Sequence, residues 1–495
     1  ETPGTAELLR RGAERAMTEL AAEPALQSTL LVALARVYDH LDYGDLALPL
    51  LEQAIAAAQA LQPDDPMLLA AALSERGALD LARDRYEPAI DWLDRAIELQ
   101  TRHDPDDLDL AVSLDRRALA RSQLADHDAA IADYQAAMAL RDRLLPADHP
   151  ERIHDLHSIG SAHDRAGRHE QASDFLARAA ALAQERFGDD HVKTAHYLTS
   201  HATNLGFRGQ FAAAVPLLER AVAAERKLYP PGHASRAQGL NNLGIHYFRL
   251  GRLREAVTVL DEADALNTSA GQASSMGQTF VLGNLARAHE ALGDAPRALV
   301  QVREAETIAH ALVGAEHPRT VGLGLQRARL EAVLDPATSE QLHAVAGALL
   351  EQPERLGPFR LRGLPEAQYA TGLALAGMGR EAEAEAVWRA ALASADARDD
   401  AFVLDIAVAL AERERAGGDI AAARTLLDTW LARASTGLPA GHYALGQLHL
   451  VLAELAAATG DADAGEPVRA AAAALAELPA THPWRQRLAV LPGAR

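Results

Sequence analysis

The chain has 495 residues, a net charge of −21 and no cysteine. That charge argues against a nucleic-acid or anionic-membrane surface, either of which needs a basic face, and the absent cysteines exclude disulfides and thiolate metal sites. No apolar run approaches the ~20 residues of a membrane helix, no signal peptide is visible, and a chain opening on Glu1 reads as a fragment or processed form.

Residues 1–24 are expected to form a capping helix, Thr5 to Ala22, with Thr5 as N-cap and Glu23-Pro24 as its stop. From Ala25 the chain repeats. The clearest unit is Gln238 to Leu266. Leu240, Leu243 and Tyr247 mark one face of a first helix, Gly251 ends it, and Ala256, Leu260 and Ala263 mark one face of a second. Gly244, Ala256 and Ala263 put small residues where the two helices would cross. From Ala256 the frame reaches Ala47, Ala89, Ala130, Ala172, Ala214 and Ala298, in steps of 42 apart from one of 41. Two ladders share it: Ala35, Gly77, Ala118, Gly160, Ala202, Gly244, Ala286 and Ala328, then Ala54, Ala96, Ala137, Ala179, Ala221, Ala263 and Ala305. Such a period marks a helical solenoid. A solenoid has no single core to outgrow, which sets aside the ~three domains suggested by length.

Seven regular repeats are expected over residues 25–318. The linker Asn267 to Thr279 is rich in Gly and Ser and reads as a looser connection. Residues 319–366 read as a degenerate repeat and hinge: Glu340 stands in a small slot, Asp335-Pro336 replaces the glycine turn, and Pro353, Pro358 and Pro365 follow. Three more units over 367–480 carry the ladders Gly372, Ala384, Ala391, then Ala411, Ala423, Trp430, then Ala453, Gly465, Ala472. Arg469 in an apolar slot suggests a last helix facing solvent. The tail, 481–495, is expected to fold back over that end.

The order Gly244, Tyr247, Gly251, Ala256, Leu260, Ala263 resembles the tetratricopeptide repeat, and the 42-residue period resembles its kinesin-light-chain-like variety. That variety carries acidic-His-Pro linkers, matched here by "ADHP" (Ala147–Pro150), "GDDH" (Gly188–His191), "PPGH" (Pro230–His233) and "AEHP" (Ala315–Pro318). His149, His191, His233 and His317 are read as linker turn and helix start. The resemblance implies an all-α, right-handed superhelical solenoid of about eleven repeats, with first helices lining the inside. The first 55 or so residues also resemble the junction before the carboxy-terminal repeats of multi-domain bacterial serine/threonine protein kinases, although no kinase motif is present.

No catalytic motif, P-loop, HExxH or EF-hand loop occurs, so no enzyme activity and no cofactor are expected. His154 and His157 have the spacing to share a metal, but no third ligand lies nearby in sequence. The inner stripe of repeats four to seven holds His154, His157, Asp164, His196, Thr199, Gln238, Asn241, Asn242, Phe248, Phe280, Asn284 and Arg287. Asn241-Asn242 and Asn284 match the "NNL" element with which kinesin-light-chain-like arrays hold extended peptides. The expected function is a non-catalytic solenoid binding a protein or extended peptide, as the sensor region of a bacterial receptor-type kinase outside the cytoplasmic membrane. The alternative is a cytoplasmic scaffold that assembles a protein complex.

Overall fold

The computed structural model describes residues 5–41, 43–61, 64–146, 149–230, 233–395, 401–460 and 465–493, and no strand occurs among them. The chain divides into two compact units, Glu1–Gly188 and Asp189–Arg495. This division falls inside the stretch read as seven uniform repeats. The first unit opens with α1 (Thr5–Glu19) and continues as four antiparallel pairs: α2 (Pro24–His40) with α3 (Gly44–Gln59), α4 (Pro66–Ala82) with α5 (Tyr86–His103), α6 (Leu108–Gln123) with α7 (His127–Leu144), and α8 (Glu151–Arg165) with α9 (His169–Phe187). The second unit holds seven pairs: α10 (Val192–Phe207) with α11 (Phe211–Leu228), α12 (Ala234–Arg249) with α13 (Leu253–Ser269), α14 (Met276–Ala291) with α15 (Ala295–Val313), α16 (Pro318–Leu334) with α17 (Ser339–Glu351), α18 (Arg360–Gly377) with α19 (Glu381–Ser394), α20 (Ala401–Ala416) with α21 (Ile420–Ala434), and α22 (Tyr443–Thr459) with α23 (Gly465–Ala474). A short α24 (Pro483–Ala489) closes it. Eleven pairs result. No helix among the described residues is long and apolar enough to cross a membrane.

The ladders are the packing seams. Every alanine of the 47–298 and 54–305 series is fully buried. At the crossings a Cβ on Gly77, Gly160 or Gly244 would stand 2.7, 2.7 or 2.6 Å from Cγ of Leu93, Leu176 or Leu260. Glycine there lets a leucine sixteen residues on seat against the backbone of the facing helix. The turns keep the same frame: Gly167, Gly209, Gly251 and Gly293 all have positive φ, and Asp84 and Ala125 take the left-handed conformation at the equivalent points of repeats two and three, at φ 56° and 61°.

The linker histidines hold helix starts: His191, His233 and His317 are N-caps, and His149 stands one residue before the N-cap Pro150. Nδ1 of His149, His191, His233 and His317 accepts the backbone N–H two residues on, at 3.3, 3.1, 3.3 and 3.1 Å. His442 and His482 do the same for Ala444 and Trp484, at 3.2 Å each. An accepting Nδ1 places the proton on Nε2 and satisfies one of the orphan donors of a helix start. Ala147, Asp148, Pro231 and Gly232 of the linkers lie outside the described residues, as does the Thr5 side chain; α1 itself begins at Thr5.

Three stretches that depart from the regular repeat are packed as follows. The Asn267–Thr279 linker is tied down: Asn267 Nδ2 donates to Gln278 Oε1 at 2.8 Å, Gln278 also bonds Asp264, and the Ser275 hydroxyl caps Gln278 N–H at 3.1 Å. Residues 319–366 are packed around buried Leu325, Ala328, Leu342, Ala346, Leu349 and Leu356. The frame there slips by one residue, so that Ser339 and Ala346 are buried at the seam while Glu340 is exposed. Short 3-10 turns at Pro336–Thr338 and Pro353–Phe359 absorb Asp335-Pro336 and two of the three prolines, and Pro365 lies inside α18. In the last pair Val468, Ala471 and Leu475 are buried, whereas Gly465 and Ala472 are half-buried and Arg469 is exposed.

The second unit departs from nearest-neighbour stacking. Leu253, at the start of α13, is fully buried in one cluster with side chains of α18 to α24. The His442 ring lies on the Gly251 turn, where a Cβ would be 3.0 Å from its Cδ2, and the His482 ring lies on the Gly293 turn, at 2.7 Å. Arg254 Nε donates to the Glu477 carbonyl at 3.0 Å. The segment from His442 to His482 therefore reaches back to repeats six and seven.

Candidate functional site

The twelve inner-stripe residues fall in different surroundings. In the first unit, His154 and His157 each face a serine one turn on, at 3.4 and 3.3 Å, and Asp164 pairs with His169 Nδ1 at 3.0 Å. Among the described residues no three His or carboxylate side chains gather in a metal-binding group. Beneath this face Arg141 bridges Asp155 and Asp115. Burial first, and the neighbouring Asp115 charge, push Asp155 up to about 7 against the pull of Arg141.

The first unit also holds a cavity of about 360 Å³ lined by residues of α2 to α6. Glu75 within it is paired: it accepts from Arg36 at 2.8 Å and Arg116 at 2.9 Å, and Arg116 also donates to Ser74. Burial opposes the ionised Glu75, and the two guanidiniums still hold it below the ordinary carboxylate range.

In the second unit, His196, Thr199, Gln238 and Asn242 come together. They line a cavity of about 360 Å³ between α10, α11 and α12, with Val192, Lys193, Glu225, Tyr229, Ser235 and Gly239. Thr199 spends its hydroxyl proton on the Ala195 carbonyl at 2.9 Å. The Gln238 and Asn242 amides have no side-chain partner among the described residues, so each keeps a donor and an acceptor for a ligand. Glu225 belongs to this site and the inner-stripe reading missed it, because it rides on a second helix. Gly239, a mid-helix glycine with no turn to make, was the available signal. Burial pushes the Glu225 carboxyl up to about 7, with Arg236 pulling the other way.

The remaining residues are engaged by their own chain. Asn284 Nδ2 donates to Asn241 Oδ1 at 3.0 Å across one repeat. Phe248 packs on Tyr443 with centroids 6.3 Å apart, and Phe280 on Phe359 at the same distance, beneath the Arg319 guanidinium at 4.4 Å. Arg287 donates to Glu366 at 3.0 Å, and Glu366 also receives Arg329, itself held by Glu290 at 2.8 Å. The apolar and charged members of the predicted stripe thus serve the fold-back of the C-terminal repeats.

Comparison with known proteins adds the following. Tetratricopeptide-repeat family models match residues 109–185, 156–227 and 281–319. No curated protein matches the chain. Among solved structures, apo RapI is similar over 74% of this chain and 97% of its own, with 12% identity and TM-score 0.57. The apo quorum sensor NprR from B. thuringiensis covers 79% and 99%, with 12% identity and TM-score 0.53. A Podosopora anserina kinesin light chain of nearly identical TPR-like repeats covers 42% and 98%, with 22% identity and TM-score 0.38. Matched repeats in both units, eleven helix pairs and three buried small-residue ladders converge: the chain is a tetratricopeptide-repeat array.

Proposed function

We propose that the array is a non-catalytic protein- or peptide-binding module, and that its binding face in the second unit is the polar cavity between α10, α11 and α12. One observation carries this reading. Side chains from two successive first helices, His196 and Thr199 on one and Gln238 and Asn242 on the next, converge on a single cavity. Two amides one turn apart on α12 suit an extended backbone, since each offers a donor and an acceptor. The narrower reading, a sensor region of a bacterial receptor-type kinase lying outside the cytoplasmic membrane, is supported by the resemblance of the opening residues. Reading the gene upstream of Glu1 separates it from the scaffold: kinase motifs followed by a membrane segment favour the sensor, and their absence favours the scaffold.

The binding face is tested by panning a random dodecapeptide library, displayed on phage, against the protein. The expected outcome is enrichment of a family of peptides. These should bind Gln238→Ala/Asn242→Ala about 30-fold more weakly, at roughly 1 kcal/mol per lost hydrogen bond, with helicity by circular dichroism unchanged. Enriched peptides that bind the double variant at full strength would move the site elsewhere.

A further inference from the structure

Glu225 occupies an unusual position for a carboxylate. It projects from α11 against α12, where Gly239 makes room for it: a Cβ on Gly239 would stand 2.2 Å from Oε2. Oε2 is buried and accepts no hydrogen bond. The charged and titratable groups around it are Lys193 and His196 from α10, Tyr229 at the end of α11, and Arg236 from α12. None of them is a hydrogen-bonded partner of the carboxylate among the described residues. Lys193 is exposed. Arg236 leans toward Glu262 at 3.9 Å, and its own Nε is buried without a partner. A buried acceptor left without a donor costs free energy that a bound donor recovers.

We propose that this cavity is a subsite for a cationic side chain, lysine or arginine, of an extended peptide, with Glu225 accepting its N–H groups and Gln238 and Asn242 holding the adjacent backbone. The proposal rests on the peptide-binding reading above. A charged donor is favoured over a neutral one because charge-assisted hydrogen bonds are roughly twice as strong. The cavity volume, about 360 Å³, is at the small end of ligand pockets, which run ~300–1,000 Å³, and suits one side chain with a short stretch of backbone. Because burial holds Glu225 at about 7, a bound cation ionises it and releases a proton. Binding therefore strengthens as pH rises through neutrality.

The same phage library tests this, panned at about pH 8 against the protein and against Glu225→Gln. The protein is expected to enrich peptides with Lys or Arg at one fixed position, and Glu225→Gln to lose that preference. A synthetic enriched peptide should bind about tenfold more weakly at about pH 6. Replacing its basic residue by norleucine should weaken binding to the protein and leave binding to Glu225→Gln unchanged. The norleucine penalty on the protein itself needs no variant, so that arm stands even if Glu225→Gln folds poorly: a norleucine peptide bound at full strength overturns the subsite. Enrichment without a fixed basic position, or a norleucine penalty equal in both proteins, overturns the subsite while leaving peptide binding intact. No enrichment at all overturns both.

Discussion

At the scale of single residues the array depends on where a Cβ is tolerated. Leu260 occupies the space that a side chain on Gly244 would take, and Gly372 gives way in the same manner to Trp388, whose Nε1 would be 2.1 Å from an added Cβ. Asp84 and Ala125 are the opposite case, side chains where the backbone favours glycine. The left-handed conformation costs a non-glycine residue ~1–2 kcal/mol, offset in part by the extra freedom glycine has when unfolded. Ala125→Gly is therefore expected to stabilise the first unit by about 0.5–1 kcal/mol, read as a higher urea midpoint with unchanged slope. A lower midpoint would show that the turn carries no strain. These positions were legible in sequence: residues 84 and 125 stand 41 apart and continue in steps of 42 to Gly167, Gly209, Gly251 and Gly293.

At the scale of elements, each linker histidine starts a helix, but only the last two are also buried against a distant turn. Burial, with Arg249 adding for His442, lowers His442 and His482 to about 4, a hydrogen bond donated by the ring to the Ala291 backbone opposing this for His482. A histidine depressed from 6.5 stays neutral when docked and takes a proton readily when released. Its contribution is complete above about pH 6.5 and is lost as pH falls toward 4, at ~1.4 kcal/mol per pH unit for each ring. Acid should thus loosen the C-terminal repeats first, with hydrogen exchange at the starts of α22 and α24 rising between about pH 6 and 4.5. Asparagine still caps a helix but does not titrate, so His442→Asn/His482→Asn should flatten that dependence. An unchanged pH profile in the double variant would assign the acid response to other groups. "PAGH" at Pro439–His442 parallels "PPGH" at Pro230–His233, so the cap was readable from sequence. Its seat on Gly251 was not: a contact made once, between residues almost two hundred apart, leaves no periodicity.

At the scale of the whole molecule, what recurs was legible and what happens once was not. Helix pairs, seams and turns repeat because each repeat meets its neighbours in the same way. Phe248, Phe280 and Arg287 carry the amphipathic signature of a ligand-facing stripe, yet their partners Tyr443, Phe359 and Glu366 lie on the same chain. Polar and aromatic residues on an inner face look alike in sequence whether an outside peptide or the chain's own later repeats meet them. A consequence for stability can be measured. In simple stacking, deleting residues 441–495 disturbs only the adjoining pair. Here it should also raise hydrogen exchange at Phe248–Arg254 and Ala291–Gly293, on which residues of the deleted segment pack. Protection there equal to the full chain would mean that the fold-back contributes nothing to those turns.

The seats of His442 on Gly251 and His482 on Gly293 also bear on how the second unit would respond to tension. An open stack of helix pairs yields to a pull as a soft spring, since each pair hinges a little on the next. A chain gripped near residues 189 and 495 must first shear two rings out of two glycine turns and break the Arg254 bond to the Glu477 carbonyl, a set of contacts loaded together. Forced opening is governed by the barrier to rupture and not by the equilibrium balance. The second unit should accordingly behave as a buckle, stiff and brittle up to one release event, and only then pay out length as a spring.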